Sequence, residues 1–169
     1  MPSILGEAVG HIQNPALGSV LQWRFAAGYS TKSAAAEGCP LVLLFLVLPI
    51  VYHEATYRHL KSTNATSGLR VFVSKFGRAS TQQGDLLYGL HDRTAAMRDI
   101  SLDALQIATT SRLIAVDLDN ARVHSAPLDV PSRGIPRSIQ GMIKNSEKLG
   151  AWCADLTLYQ VSATLKVRF

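Results

Sequence analysis

The chain has 169 residues, enough for one domain with a full core at the usual size of about 150 residues per domain. Hydrophobic residues make up 47% and charged residues 17%. That places it at the apolar end of soluble proteins, with too few charges to cover a monomer, so an obligate partner is expected. The seventeen basic and twelve acidic residues give +5, and the excess is local. Ala55–Gly84 contains Arg58, Lys61, Arg70, Lys75 and Arg78 but no acid, which leaves twelve of each sign elsewhere. A basic stretch of this kind can meet nucleic-acid phosphate or an acidic protein face, or be a solvated rim.

Met1–Gly10 has no basic start followed by an apolar block, so no secretory signal is expected and a cytoplasmic location is. In that setting Cys39 and Cys153, which match no metal-ligand spacing, are expected as buried thiols rather than a disulfide. Asn14-Pro15 starts a helix, the Asn as cap and the Pro at the first helical position. Leu17, Val20, Leu21, Phe25 and Tyr29 then recur at helical spacing, with Gly28 near the end. Trp23 and Arg24 fall off the centre of that stripe, as a protein-interface contact or as ordinary edge packing. Ser30–Gly38 is a loop of small residues.

Cys39–Tyr52 reads C-P-L-V-L-L-F-L-V-L-P-I-V-Y, without a charged or ordinary polar side chain. A run that is apolar on every side must be wrapped by other elements, and it is shorter than the roughly twenty residues a membrane span needs. It is expected to be the central buried helix, starting at Pro40, kinking near Pro49 and ending near Lys61. After a polar break at Ser62–Thr66, Ser67 caps a third helix with Leu69, Phe72, Val73 and Phe76 inward and Arg70, Lys75 and Arg78 outward, broken at Gly77.

Gln82–Met97 forms a helix with Leu86, Leu87, Leu90 and Met97 on one face. A joint at Arg98–Ile100 leads to a helix capped by Ser101, with Leu102, Leu105 and Ala108 inward. A hairpin follows around Asp119-Asn120, pairing Leu118 with Ala121, Val116 with Val123 and Ile114 near Ser125, and setting Asp117 opposite Arg122 as a charge pair. Helix, joint, helix, hairpin is the order of a winged helix-turn-helix. Pro127–Pro136 is a linker, Arg137–Ala154 a helix, and a short helix from Asp155 or Thr157 runs toward Leu165. The fold class is mainly α: one domain, 1–169, with a helical core (14–78), a winged-helix-like segment with one β-hairpin (81–126) and C-terminal helices (137–169).

Little of this carries catalytic chemistry. His53-Glu54 invites a zinc-protease reading, but position 57 is Tyr. His59 lies six residues on, about 240° around a regular helix, so the two histidines cannot share a metal. Asp85, Asp92 and Asp99 recur every seven residues beside Arg93 and Arg98, as on a solvated face. His11, His91 and His124 stand alone. No nucleophile turn, phosphate loop or dinucleotide fingerprint occurs, so no catalytic residue, metal or cofactor is expected and the chain reads as a non-enzyme. The candidate recognition helix, Ser101–Arg112, offers Gln106, Thr109, Thr110 and Arg112, with Asp103 repelling phosphate. It is poorly suited to reading bases.

N-P-A-L-G-x-x-L-x-W-R-F (Asn14–Phe25), followed by L-V-L-P-I-V-Y-H-E-A-T (Leu46–Thr56) and L-L-Y-G-L-H (Leu86–His91), resembles the middle-component proteins of three-component ABC ATPase systems. That group includes or lies close to the small accessory subunit of Lamassu-type antiphage systems. His53-Glu-Ala-Thr is similar to a segment of the family in which Pro is common where Ala55 stands. The resemblance implies a noncatalytic subunit bound to a Rad50- or SMC-like ABC ATPase, helping to hold or release an effector subunit, often a nuclease. The short apolar run leads to the expectation of no membrane, and any DNA contact would be indirect or would come from the basic stretch without reading sequence. The alternatives are a small winged-helix DNA-binding transcriptional regulator, marked by cations on the recognition helix, and a hydrolase whose site linear sequence hides.

Overall fold

A computed structural model describes residues 14–32, 37–77, 84–131 and 133–169. Asn14 caps α1 (Pro15–Lys32) as expected, its Oδ1 accepting the N–H groups of Ala16 at 2.9 Å and Leu17 at 3.3 Å. The helix runs past Gly28 into the expected loop, of which residues 33–36 lie outside the described part. α1 is the hub of the fold. Leu21, Trp23, Phe25 and Ala26 are buried together with Gly18, Ser19, Gln22 and Gly28. It packs on the last long helix, on the helix before the hairpin and on the sheet.

The apolar run does not form one kinked helix. Cys39–Pro40 is a short strand, β1; Leu41–Leu46 is a 3-10 helix; Val47–Val51 is α2; and Glu54–Ser62 is α3. The bend lies at Tyr52-His53, where the run and α3 turn 101° from one another. Pro49 sits in the first turn of α2, where its missing N–H would have no intrahelical acceptor in any case, and the bend comes only after that helix ends. His53 caps α3 by accepting the Thr56 N–H on Nδ1 at 3.4 Å, and Thr56 Oγ1 donates back to the Ile50 carbonyl at 2.8 Å. No single helix among the described residues is long and apolar enough to cross a membrane.

α4 (Gly68–Ser74) and the 3-10 turn Lys75–Gly77 carry Leu69, Phe72 and Phe76 into the core as expected, although the Ser67 side chain makes no cap bond. Phe72 meets Phe76 edge-on at 4.9 Å and Trp152 at 5.8 Å. α5 (Gly84–Ala96) leads to α6 (Arg98–Thr110) through a joint of one residue, Met97. Ser101 therefore does not cap α6. It lies inside the helix, fully buried, and its carbonyl accepts Gln22 Nε2–H at 3.0 Å. The inward face of α6 is Ser101, Ala104 and Ala108, while Leu102 is 43% exposed. The reason is distance: a Cβ on Gly18 would lie 3.0 Å from that of Ala104, so α1 and α6 approach too closely for leucine between them.

β2 (Ile114–Asp117) and β3 (Arg122–Ser125) pair in the expected register, Val116 opposite Val123 and Asp117 opposite Arg122. The turn has four residues, Leu118–Ala121, with Ala121 at φ 51°, as four-residue hairpin loops built on a type I turn permit. The expected Asp117–Arg122 charge pair does not form. Asp117 accepts the backbone N–H groups of Asp119 and Asn120 and Asn120 Nδ2–H at 2.7 Å, which holds its carboxyl below the usual range. Arg122 instead donates to the Gly38 carbonyl at 3.2 Å. β1 adds to the other edge of β3, giving the order β1-β3-β2. The expected succession of helix, joint, helix and hairpin is thus present.

After an irregular linker, α7 (Arg137–Ala154) packs along α1, and α8 (Leu158–Leu165) starts at a Thr157/Gln160 capping box. Both thiols are buried and unbridged as expected, burial pushing that of Cys153 up to about 12. α1 and α7 touch backbone to backbone: a Cβ on Gly28 would lie 1.9 Å from the Glu147 carbonyl oxygen, and one on Gly150 2.0 Å from that of Phe25. Gly28→Ala or Gly150→Ala should therefore cost about 3 kcal/mol or more, the upper end of overpacking, because no side chain can yield. Gly141→Ala on the same helix meets only the Tyr57 hydroxyl at 3.4 Å and should stabilise by up to about 1 kcal/mol. Urea denaturation of the three variants checks the contrast.

Candidate interaction surfaces

The acid-free stretch divides on folding. Arg58 is exposed on α3 and pairs with Glu54 at 2.9 Å, an i,i+4 contact worth only about 0.3–0.5 kcal/mol. Lys61 is exposed at the end of the same helix. Lys75 reaches that end from the 3-10 turn, its Nζ donating to the Ser62 carbonyl at 2.9 Å. Arg70 lies elsewhere, on a shallow depression beside Trp152 and Asp155. Arg78 lies outside the described residues.

The fold adds a cation that local charge counting misses. Lys148, on α7, donates to the carbonyls of Leu60 at 2.7 Å and Thr63 at 2.8 Å, capping the C-terminal end of α3. Its ammonium also stands 5.2 Å from the Trp152 ring, and the Lys148-x-x-x-Trp152 spacing was the one local sign of it. Burial, then Lys75, lowers its pKa. His59 sits among these cations, 5.5 Å from the Phe76 ring. Lys61, Lys75 and Lys148 therefore lie at the C-terminal end of α3, while Arg58 is held by Glu54 at its start and Arg70 lies beside Trp152.

Trp23 is 3% exposed and its indole N–H donates to the Ala126 carbonyl at 3.0 Å, so its surface is covered by this chain. Arg24 stacks 5.0 Å from that ring and pairs with Glu147 at 2.6 Å. It forms part of a depression of about 330 Å³ with Asp129, Gln140 and Lys144. Of the regularly spaced acids, Asp92 and Asp99 are exposed; the side chain of Asp85 lies outside the described residues, as does His11. His91 Nδ1 accepts the Arg168 N–H at 3.4 Å. His124 packs beside Gly38.

A second surface was not foreseen. Val42 and Phe45 of the 3-10 helix, His91, Thr94 and Ala95 of α5, and Phe169 enclose a groove of about 390 Å³, with Arg98 and Arg168 at its rim. It had no sequence signal, because it depends on the run being a 3-10 helix and on residues far apart in the chain meeting.

His53 and His59 both sit below the usual imidazole range, His53 through burial and then Arg93, His59 through burial and then Lys75 and Arg58; Glu54 opposes the first shift. Protonation would also cost His53 its cap, since imidazolium cannot accept the Thr56 N–H. The unfolded chain thus takes up these protons first, so stability is complete above about pH 6.5 and falls as pH drops through that value toward the folded pKa values. The melting temperature should decline between pH 7.5 and 5.5, and His53→Asn/His59→Gln, which keeps a capping side chain, should flatten the decline. An equally steep decline in the double variant would place the effect elsewhere.

Nucleic-acid binding by the isolated chain should be weak and indifferent to sequence, because only a few cations converge. Lys61→Gln/Lys75→Gln should weaken it evenly and flatten the slope of log K against log salt by about two. Fluorescence polarisation with labelled duplexes measures both; tight, sequence-selective binding at physiological salt would favour a DNA-binding regulator.

The family model for the ABC-three component (ABC-3C) system Middle Component 3 matches residues 3–169. No curated protein and no solved structure matches the chain.

Proposed function

The chain belongs to the Middle Component 3 family of ABC-three component systems, and from that premise we propose that it is a noncatalytic accessory subunit of a bacterial antiphage defence complex of the Lamassu type. In this reading it bridges a Rad50- or SMC-like ABC ATPase and an effector subunit, often a nuclease, in the cytoplasm. The observation that carries the reading is the extent of the family match, residues 3–169. The side chains with chemical potential support it, since they are engaged in holding the fold: His53 caps α3, His59 packs on Phe76, and Lys148 closes the other end of α3.

A winged-helix DNA-binding regulator would need cations along α6. That helix has one cation, Arg98 at its first position, beside exposed Asp99, and presents Asp103 and Gln106 further along, while Arg112 lies beyond its end in a left-handed turn at φ 59°. The winged-helix-like segment is better suited to protein contact. DNA, where it is met at all, would touch the cations near the α3 end without reading sequence.

The subunit made alone should self-associate or be poorly soluble, and co-expression with the ATPase subunit of the same system should yield a stable complex. A partner that binds only the folded form stabilises it by about 2.7 kcal/mol at a hundredfold excess over Kd. Size-exclusion chromatography of the two proteins, apart and together, tests this. A well-behaved monomer that never shifts with the ATPase would overturn the reading.

A further inference from the structure

We propose that the groove between the 3-10 helix Leu41–Leu46, α5 and the residues after α8 is the docking site for a segment of a partner subunit in which large apolar side chains are flanked by Asp or Glu. The proposal rests on the accessory-subunit reading above. The argument begins with helix geometry. At three residues per turn, positions i and i+3 of a 3-10 helix eclipse one another, so Val42 and Phe45 stack on one edge. Their neighbours Leu43, Leu44, Leu46, Val47, Leu48 and Ile50 are at most 1% exposed, whereas Val42 and Phe45 keep partial exposure and form part of the groove wall. Within Leu41–Tyr52 only Leu41, Val42 and Phe45 stay partly exposed, and the last two line this groove.

Across from them, His91, Thr94 and Ala95 recur at helical spacing on α5, and Phe169, 47% exposed, contributes a further apolar surface. The hydrogen bond from the Arg168 N–H to His91 fixes the last residues against α5, so the groove is built rather than incidental. Its charged side chains are Arg98 and Arg168, both exposed, and neither has a carboxylate partner among the described residues. Asp92 and Asp99, the nearest acids in sequence, do not line it. An apolar wall with two cationic side chains that have no carboxylate partner among the described residues selects an apolar segment bearing acids and rejects a basic one. A volume of about 390 Å³ suits a few side chains rather than a whole helix.

The test uses the full chain and, as probes, each of the other two components of the same system, purified, with affinity read by isothermal titration calorimetry. Arg98→Glu/Arg168→Glu reverses the rim and Ala95→Trp fills the groove. All three positions are exposed, so the fold should be kept, and circular dichroism melts verify it. Ser138→Ala, at an exposed position in the first turn of α7, is the control. Each groove variant should bind one component at least about tenfold more weakly while the control binds like the native chain. Native-like binding by both groove variants would overturn the groove and leave the subunit reading standing. Failure of the native chain to bind either component would remove the reading and the docking site together. Loss with Ala95→Trp alone would overturn the acidic character of the ligand. A native dimer that the rim reversal converts to monomer would mean that a second copy is the occupant, and would overturn the proposal.

Discussion

The structure depends on how closely three helix backbones approach one another. Packed helices ordinarily lie 8–10 Å apart, the gap filled by interlocking side chains. α1 has a glycine where α7 presses against it and another where α6 and α2 do, and α7 answers with Gly150 against Phe25 and Tyr29. Once α1 is held on these sides, most of its circumference is interior, which explains why it buries Gly18, Ser19 and Gln22 as well as Phe25 and Leu21. Gln22 then joins α1 to α6 through Ser101, and Trp23 joins it to the chain after β3 through Ala126.

What could be read from the sequence follows from this. Elements with one dry face and one wet face were legible: α7 matches its expected bounds, α8 starts at its capping threonine, and the hairpin register follows from which face of each strand is apolar. Elements that are buried all round have no such contrast. The run from Leu41 to Ile50 looks the same as one helix or as a 3-10 helix, an α-helix and a bend, because hydrophobicity alone does not fix the number of residues per turn. The face of α6 was misplaced for a related reason. Leu102 outweighs Ala104 in any count of apolar character, yet the contact with α1 admits only the smaller side chain. Of the surfaces, the basic character of α3 and its neighbours was visible in the charge count. Lys148 was not, because its cap on α3 links residues 85 and 88 positions apart.

Breaking the apolar run has a further effect on where polar chemistry goes. Each short helix leaves unpaired N–H groups at its start and carbonyls at its end, and the 101° bend puts such ends next to a dry core. His53 serves the start of α3, the Thr56 hydroxyl the finish of α2 and Lys148 the finish of α3, while the Trp152 indole N–H donates to the Ala65 carbonyl in the break that follows, at 2.7 Å. His53 and Lys148 thus line the two corners at the ends of α3.

The pairing of α1 with α7 also sets the order in which the molecule can be made. The ion pair of Arg24 with Glu147 spans 123 positions, and the glycine contacts beside it span a similar distance. On a ribosome the run around Leu44 emerges long before the helix that closes over α1. At about 5–20 residues per second the interval is several seconds, during which hydrophobic collapse, far faster, is free to choose other partners. Contacts so distant in sequence raise contact order and slow the final docking step. The nascent chain therefore exposes its most aggregation-prone stretch until α7 has emerged, a period in which a chaperone, or a partner already folded, would have most to shield.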